Sequence, residues 1–402
     1  MAFHDQNNNH TNGEVSKKPK LSFSAITDTE IQSEFSHHDP TVARLNNGAF
    51  GCCPSSVLAA QRQWQLKSLR QPDHFYFNHL QKGILHSRTI IKDLVNAQHV
   101  NEISIVDNAS TATAIVLQQA SWAFQEGKFN KGDSVVMLHY AYGSVKKAIE
   151  AYVTRAGGRV IEVPLTFPVT SEDDIIREFR HVLEKTKSEA HAVGCTPRVD
   201  MQEIGADFYT SNLHKWFFCP PSVAFIYTRK SVNSVDLHHP VVSHEYGNGL
   251  AIESSWIGNR DYSAQLVVPT VMEFVNRFEG GIEGIKERNH DCVVEMGEML
   301  VEAWGTHLGT PHHMSASMVM VGLPPSLGIM NECDAMNLRT HLREFFGVEV
   351  PIYFRDGGEV GCVSGYARIS YQVYNKVDDY YKFRDAINQL VSDGLTCAFL
   401  SS

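Results

Sequence analysis

The sequence predicts an α/β fold, with a large domain on a mostly parallel sheet followed by a smaller α+β domain. Three observations predict it. Short apolar runs alternate with stretches of helical periodicity from Ile103 to Tyr227, Gly- and Asp-containing turns separate them, and Gly280-Gly281 interrupts a long helical stretch that begins at Ala264. Alternation of this kind lays helices over both faces of parallel strands. A chain of 402 residues, 43% apolar and 20% charged, buries a large core and has room for two domains.

Taken in order, residues 1–35 read as a disordered tail, with Gln6-Asn7-Asn8-Asn9 and Ser16-Lys17-Lys18-Pro19-Lys20 setting its polar character. The tail has no Arg and contains Asp5 and Glu14, unlike an organelle transit peptide, so the cytoplasm is the expected location. Lys17 to Lys20 also fits a nuclear-import cluster, although such clusters more often only solubilise a tail. No apolar run approaches the ~18 residues of a membrane span, and no membrane partner is expected.

Residues 36–71 form an N-terminal segment in which the Gly-punctuated loop Arg44 to Gly51 precedes a helix starting at Pro54-Ser55, with Val57, Gln61, Trp64 and Ser68 on one face. The large domain spans 72–262. Five strands are expected there, at 103–106, 134–138, 159–163, 206–210 and 223–227. Between them lie helices over 110–126 and 143–156, the second stopped by Gly157-Gly158, and a Ser171-capped helix whose buried stripe is Ile175, Ile176, Phe179 and Leu183. Residues 263–402 make the smaller domain.

Thirty-five basic against forty-five acidic residues leave a net charge of −10, which excludes nucleic acid as an obligatory partner and favours a small metabolite. The eight cysteines include no Cys-x-x-Cys pair and read as reduced thiols. Adjacent histidines at 37-38, 238-239 and 312-313 do not converge on one ion, so they read as surface or loop residues and no metal site is predicted.

In open α/β sheets, ligands bind beyond the carboxyl ends of the strands. The first such loop, Asp107-Asn108-Ala109-Ser110-Thr111, places small and hydroxyl residues at a helix start, where backbone N–H groups attract an anion. An ordinary helix cap explains the same residues. The second loop, His139-Tyr140-Ala141-Tyr142-Gly143, offers two rings that suit either a flat ligand or the core. The third, Ser211-Asn212-Leu213-His214-Lys215-Trp216, holds a lysine between aromatic and polar residues, which suits an amine made nucleophilic by desolvation.

The order Ser-Asn-x-His-Lys-Trp before a Pro-containing apolar strand closely resembles the cofactor lysine of the class V aminotransferase group of pyridoxal-phosphate enzymes. Within that group it resembles the isopenicillin N epimerase-like branch, which includes plant L-cysteine desulfhydrases. The resemblance runs from about Asn46 to Leu395 and implies fold type I, pyridoxal 5'-phosphate (PLP) as cofactor, a homodimer and an amino-acid substrate such as L-cysteine. It implies Lys215 as the catalytic residue, phosphate contacts at Ser110 and Thr111, and a ring contact at Tyr142, with Tyr140 second. Further cofactor contacts fall on His191, Asn212 and His214, and substrate contacts on Asn47 and on Arg368 of Ala367-Arg368-Ile369-Ser370.

Departures accompany the resemblance. The family reads Asp-Ala-Ala-His-x-x-Gly where this chain reads Ser188-Glu189-Ala190-His191-Ala192-Val193-Gly194, so Ser188 replaces the acid that protonates the pyridine nitrogen. Only Ser188 to Ala206 separate the last helix of this region from the next strand, too few for the roughly 25 residues that two strands and a crossover require. The large domain is therefore expected to lack the centre of its sheet. Asn259 also stands where the family has a Thr that reaches a phosphate in the partner subunit. Two functions compete: a lyase that converts L-cysteine to hydrogen sulfide, pyruvate and ammonia, and a non-catalytic shortened relative. A desulfurase is less favoured, because Cys362 lies only six residues before Arg368, and amino-acid epimerisation, which uses the same lysine, stays open beside it.

Overall fold

The computed structural model describes residues 25–186, 190–191, 199–230, 237–355 and 362–400. A helix lies within residues 28–34, which the expected tail includes; residues 1–24 lie outside the described residues. Thr27 and Glu30 form a reciprocal capping box at the start of the helix Asp28–Glu34, and Ile31 and Phe35 are buried in the first hydrophobic core. Local capping and two apolar anchors outweigh the polar composition around them. The strand β1 (Ala43–Arg44) follows, pairing in parallel with Val348–Glu349 near the other end of the chain.

Next come helices Ser55–Arg70 and Gln81–Leu94. Arg88 of the second is buried, and it donates to the carbonyls of Ile103 and Val100 and to Asn101. Burial lowers its pKa to about 10, and the three acceptors tie this helix to β2 (Ile103–Val106), whose four residues are all buried. Helix Ala109–Gln125, β3 (Ser134–Leu138), helix Gly143–Tyr152, β4 (Arg159–Val163) and helix Glu172–Thr186 follow. The chain then passes through β5 (Ala190–His191), β6 (Phe208–Asn212) and β7 (Ala224–Thr228).

Six strands are therefore described where five were expected, and they form two sheets. One has the order β4-β3-β5 and is parallel throughout. The other has the order β2-β7-β6, with β7 antiparallel to both neighbours. The mostly parallel expectation needs this correction next to Lys215. The 11 residues between β6 and β7 are too few for a crossover, so β7 returns alongside β6. Among the described residues no ladder joins β5 to β6. The described strands of this region thus stand as two separate sheets.

The helix Glu172–Thr186 rests on β4, but Ile176 is 49% and Leu183 39% exposed, so the expected buried stripe is incomplete. An apolar helix face is buried only where a sheet lies beneath it.

The C-terminal part begins with helices Ser263–Leu266 and Val268–Val275. Gly280 and Gly281, at φ 69° and 58°, break the path before the long helix Gly281–Trp304. β8 (Met318–Gly322), β9 (Val348–Glu349), β10 (Ile352–Phe354) and β11 (Gly365–Ser370) follow, with β10-β11-β8 forming an antiparallel sheet. A second core gathers these strands with helices Glu332–Phe346 and Val377–Ser392, and it also takes in Ala43 and Leu45. The N-terminal segment thus serves both cores.

Replacing Ile31 with Ala should lower the unfolding free energy by ~2–5 kcal/mol in denaturant titration. An unchanged midpoint would show that residues 28–34 are not part of the cooperative fold.

Candidate active site

Lys215 lies in a single helical turn, Leu213–Trp216, directly after β6. The turn is held by amides of Leu213 and His214 donating to the Val223 carbonyl at 3.0 and 3.3 Å. His214 adds its Nδ1 to the same carbonyl at 3.0 Å. Burial pulls the His214 pKa down, so the ring is a neutral donor. The turn also rests on Gly51, where φ is 70° and an added Cβ would lie 1.9 Å from the His214 carbonyl oxygen and 2.6 Å from Lys215 Cα. Only glycine fits there.

Lys215 is half-buried. Its amine is held below the usual lysine range, first by burial and then by the charge of Arg368. Arg368, on β11, donates to the Asn46 side chain at 3.3 Å and sits over the Tyr353 ring at 5.6 Å. Among the described residues it pairs with no carboxylate. An unneutralised guanidinium beside a desolvated amine is a place where an anionic group can be gripped by two donors.

The strand-to-helix turn after β2 meets the lysine turn directly, for the amide of Ala109 donates to Asn212 Oδ1 at 2.8 Å. Asn108 caps the helix, accepting from the Thr111 amide at 2.9 Å and its hydroxyl at 3.3 Å. Ser110 is exposed, and its hydroxyl lies 3.4 Å from that of Ser144 at the start of the next helix. Two helix starts therefore face one another. The Ser110 and Ser144 hydroxyls, at the positive ends of two helix dipoles, form an edge that attracts an anion, while the amides of Ala109 and Thr111 are taken by Asn212 and Asn108.

The other residues singled out in the sequence fall less evenly. Tyr142 opens the helix Gly143–Tyr152 and is 73% exposed, whereas Tyr140 is packed and donates to the Leu165 carbonyl at 2.7 Å. His191 is placed by its backbone alone, in β5 opposite Val135. Ser188 and Glu189 lie outside the described residues. Asn47 does not reach the site as a substrate contact: it is 2% exposed, its amide donates to Ser370 O and Asn375 Oδ1, and its Oδ1 accepts from Tyr374. The neighbouring Asn46 faces Arg368 instead.

The paired histidines divide. His312 and His313 make exposed ion pairs with Glu298 and Glu172. His239 is buried and His238 bonds the buried Glu253 at 2.8 Å, so that pair clamps a loop inside the fold. Sequence reasoning also missed Asp107 and Arg260, whose side chains form a two-pronged ion pair at the end of β2. Asp107 opens the first strand-end loop and Arg260 follows Asn259, but an acid and a base 153 positions apart carry no local signal of pairing. Beside them Asn259 accepts from the Tyr76 hydroxyl at 2.7 Å.

No family model matches the chain. A probable chloroplastic L-cysteine desulfhydrase of Arabidopsis thaliana is 60% identical to it over 431 aligned positions, covering 96% of this chain and 90% of the relative. The chain belongs to the plant L-cysteine desulfhydrase family. An L-cysteine desulfhydrase of Arabidopsis thaliana is 53% identical over 436 positions, covering 96% of each chain. Both alignments are longer than the 402 residues available, so at least 29 and 34 of their positions face gaps in this chain.

Solved structures agree on the fold. The apo cysteine desulfurase of Thermococcus onnurineus matches with a TM-score of 0.61 at 17% identity, over 88% of this chain and 95% of that one. A mutant of the lyase C-DES with glycine covalently linked to its PLP cofactor matches with a TM-score of 0.64 at 14% identity, over 89% and 98%. The large region therefore has the fold of PLP enzymes of type I. The expected cytoplasmic location is overturned by the 60% identical relative, which is named chloroplastic; the polar, acid-containing tail was the wrong guide.

The residues present fit PLP at two of its ends. A half-buried lysine of lowered pKa suits the aldehyde, and the facing helix starts at Ala109–Thr111 and Gly143–Ser144 suit the phosphate.

Replacing Arg368 with Gln removes a cation that disfavours protonated Lys215, so the lysine pKa should rise. The pH midpoint for borohydride-trapped labelling of Lys215 by PLP should move to higher pH; a fixed or lower midpoint contradicts the arrangement. Replacing Gly51 with Ala should displace the lysine turn and slow the same labelling at least tenfold, with most of the fold retained by circular dichroism.

Proposed function

We propose that the chain is a PLP-dependent carbon–sulfur lyase that converts L-cysteine to hydrogen sulfide, pyruvate and ammonia. The observation that carries this is Lys215 beside Arg368, which pairs with no carboxylate among the described residues, in a chain of the desulfhydrase family. Arg368, steadied by Asn46, takes the substrate carboxylate through parallel N–H donors. The turn Ala109–Thr111, with Ser144, takes the cofactor phosphate. Asn212 spans the phosphate turn and the lysine turn, and His214 holds the lysine turn to Val223. Tyr142 offers an exposed ring for the cofactor, and Tyr140 is fixed to the Leu165 carbonyl. Bound PLP supplies an aldehyde for the amine and a ring that withdraws electrons from the substrate α carbon. Lys215, its amine held below the usual lysine range by burial, accepts the α proton at Nζ, and the thiolate then leaves from the β carbon.

We keep the division into residues 36–71, 72–262 and 263–402 as part of this reading; the second core supports the last part, although Ala264, Leu266, Val268, Val271 and Phe274 pack in the first. A homodimer completes the assembly. Its support is a cleft of about 660 Å³ lined by Tyr76, Phe77, Val241, Val242, Trp256 and Asn259, with Phe77, Val241 and Val242 more than half exposed. Apolar surface of this kind marks an interface.

A second reading is favoured by one feature. The placing of β5 and β6 in separate sheets, together with the gaps in both alignments, supports a shortened relative whose turnover is impaired by the loss of the acid at position 188.

The colour of the protein and its sulfide release separate these readings. Chain supplied with PLP should be yellow, borohydride should fix the cofactor to Lys215, and Lys215→Ala should be colourless. A colourless wild type sinks the lyase. Sulfide release from L-cysteine by the chain as given supports the lyase in full; release that appears only after the missing strand-helix-strand block is restored supports the shortened relative.

A further inference from the structure

Arg355 follows β10 and is largely buried, with 14% of its side chain exposed. Its guanidinium lies over three aromatic rings: Tyr140 at 4.3 Å, Tyr353 at 4.9 Å and Phe167 at 5.6 Å. Nη1 donates to the Phe354 carbonyl at 2.7 Å, and its nearest carboxylate among the described residues is Glu332 at 3.5 Å, two-thirds exposed. Nε is buried without a hydrogen-bond partner. A cation so placed is held mainly by ring faces, because an exposed carboxylate offsets little of the desolvation.

The three rings come from separate places in the chain. Tyr140 belongs to the turn after β3, Phe167 to the segment after β4, and Tyr353 to β10 of the C-terminal sheet. Tyr140 is anchored to Leu165, and Phe167 packs edge-on against both Tyr140 and Tyr366 at 5.4 and 5.7 Å. Arg368 uses the same Tyr353 ring at 5.6 Å. One ring is thus shared by the arginine that faces Lys215 and by the arginine that grips the turn preceding Tyr142.

We propose that Arg355 is a positioning residue that locks the turn 139–143 to the strand pair carrying Arg368. The carboxylate grip and the ring-facing turn are then set as one unit, and a lysine cannot replace Arg355 because an ammonium offers no plane to lie on three rings. The functional consequence rests on the roles given above to Arg368 and Tyr142; the latch itself does not.

The test is hydrogen exchange on the full chain without cofactor, for wild type, Arg355→Gln, Arg355→Lys and Tyr353→Leu. Arg355→Gln should speed exchange of the Ala141 and Val145 amides about tenfold while β2 and β8 stay at wild-type rates. Tyr353→Leu should do so in part, and Arg355→Lys should resemble the Gln variant. Unchanged exchange at 139–145, uniform acceleration across both cores, or full rescue by Lys each overturns the latch. On chain loaded with PLP, Arg355→Gln should raise KM for L-cysteine more than it lowers kcat. A wild type without turnover would count against the lyase reading and leave the exchange result to decide the latch.

Discussion

The contact of Gly51 with the backbone of His214 and Lys215 is the constraint on which the site depends. Because residue 51 has no Cβ and takes a positive φ, the N-terminal segment lies against the lysine turn at a distance closed to every other residue. The same segment is fixed at its other end by β1 on β9, and between these points Asn46 meets Arg368 and Asn47 bonds β11 and Tyr374. Eight residues, Arg44 to Gly51, thereby join the lysine turn to the C-terminal core. Misplacing them moves Lys215 and Arg368 relative to one another.

Charge placement follows from that join. Lys215 and Arg368 face each other with no described carboxylate between them, although acids outnumber bases in the chain as a whole. The nearest obvious acid at a strand end, Asp107, is spent on Arg260. The site is left cationic inside an acidic protein, a field that draws small anions and repels other acidic surfaces. Burial and the same guanidinium hold the lysine amine below its usual range. On the reading proposed above, one electrostatic arrangement serves carboxylate recognition and makes the amine easier to deprotonate, at the cost of some base strength.

Much of this was legible because it is local. The strands at 103–106, 134–138 and 159–163 match the expected limits, and the Gly157 cap and the Gly280-Gly281 break were read from glycines that must take positive φ. The lysine turn was legible from a motif of six residues. What failed was non-local. The helix at 28–34 owes its order to Ile31 and Phe35 docking on residues more than two hundred positions away, and Asn47 was given to the substrate because its bonds to Ser370, Tyr374 and Asn375 leave no trace in its neighbours. The reversal of β7 was readable in principle from the short connection that precedes it.

The arrangement of the two sheets bears on the proposed chemistry. In the β2-β7-β6 sheet the lysine turn is buttressed on the β7 side by Val223 and the strand that follows it, whereas β6 meets no ladder among the described residues on its other side. The short strand β5, which begins at Ala190, two positions after Ser188, pairs with β3 instead. Lys215 therefore follows a strand of one sheet, while the chain next to position 188 enters the other. On the reading proposed above, cofactor capture draws on the first sheet and protonation of the pyridine nitrogen on the second, so the two are separate properties to be measured apart.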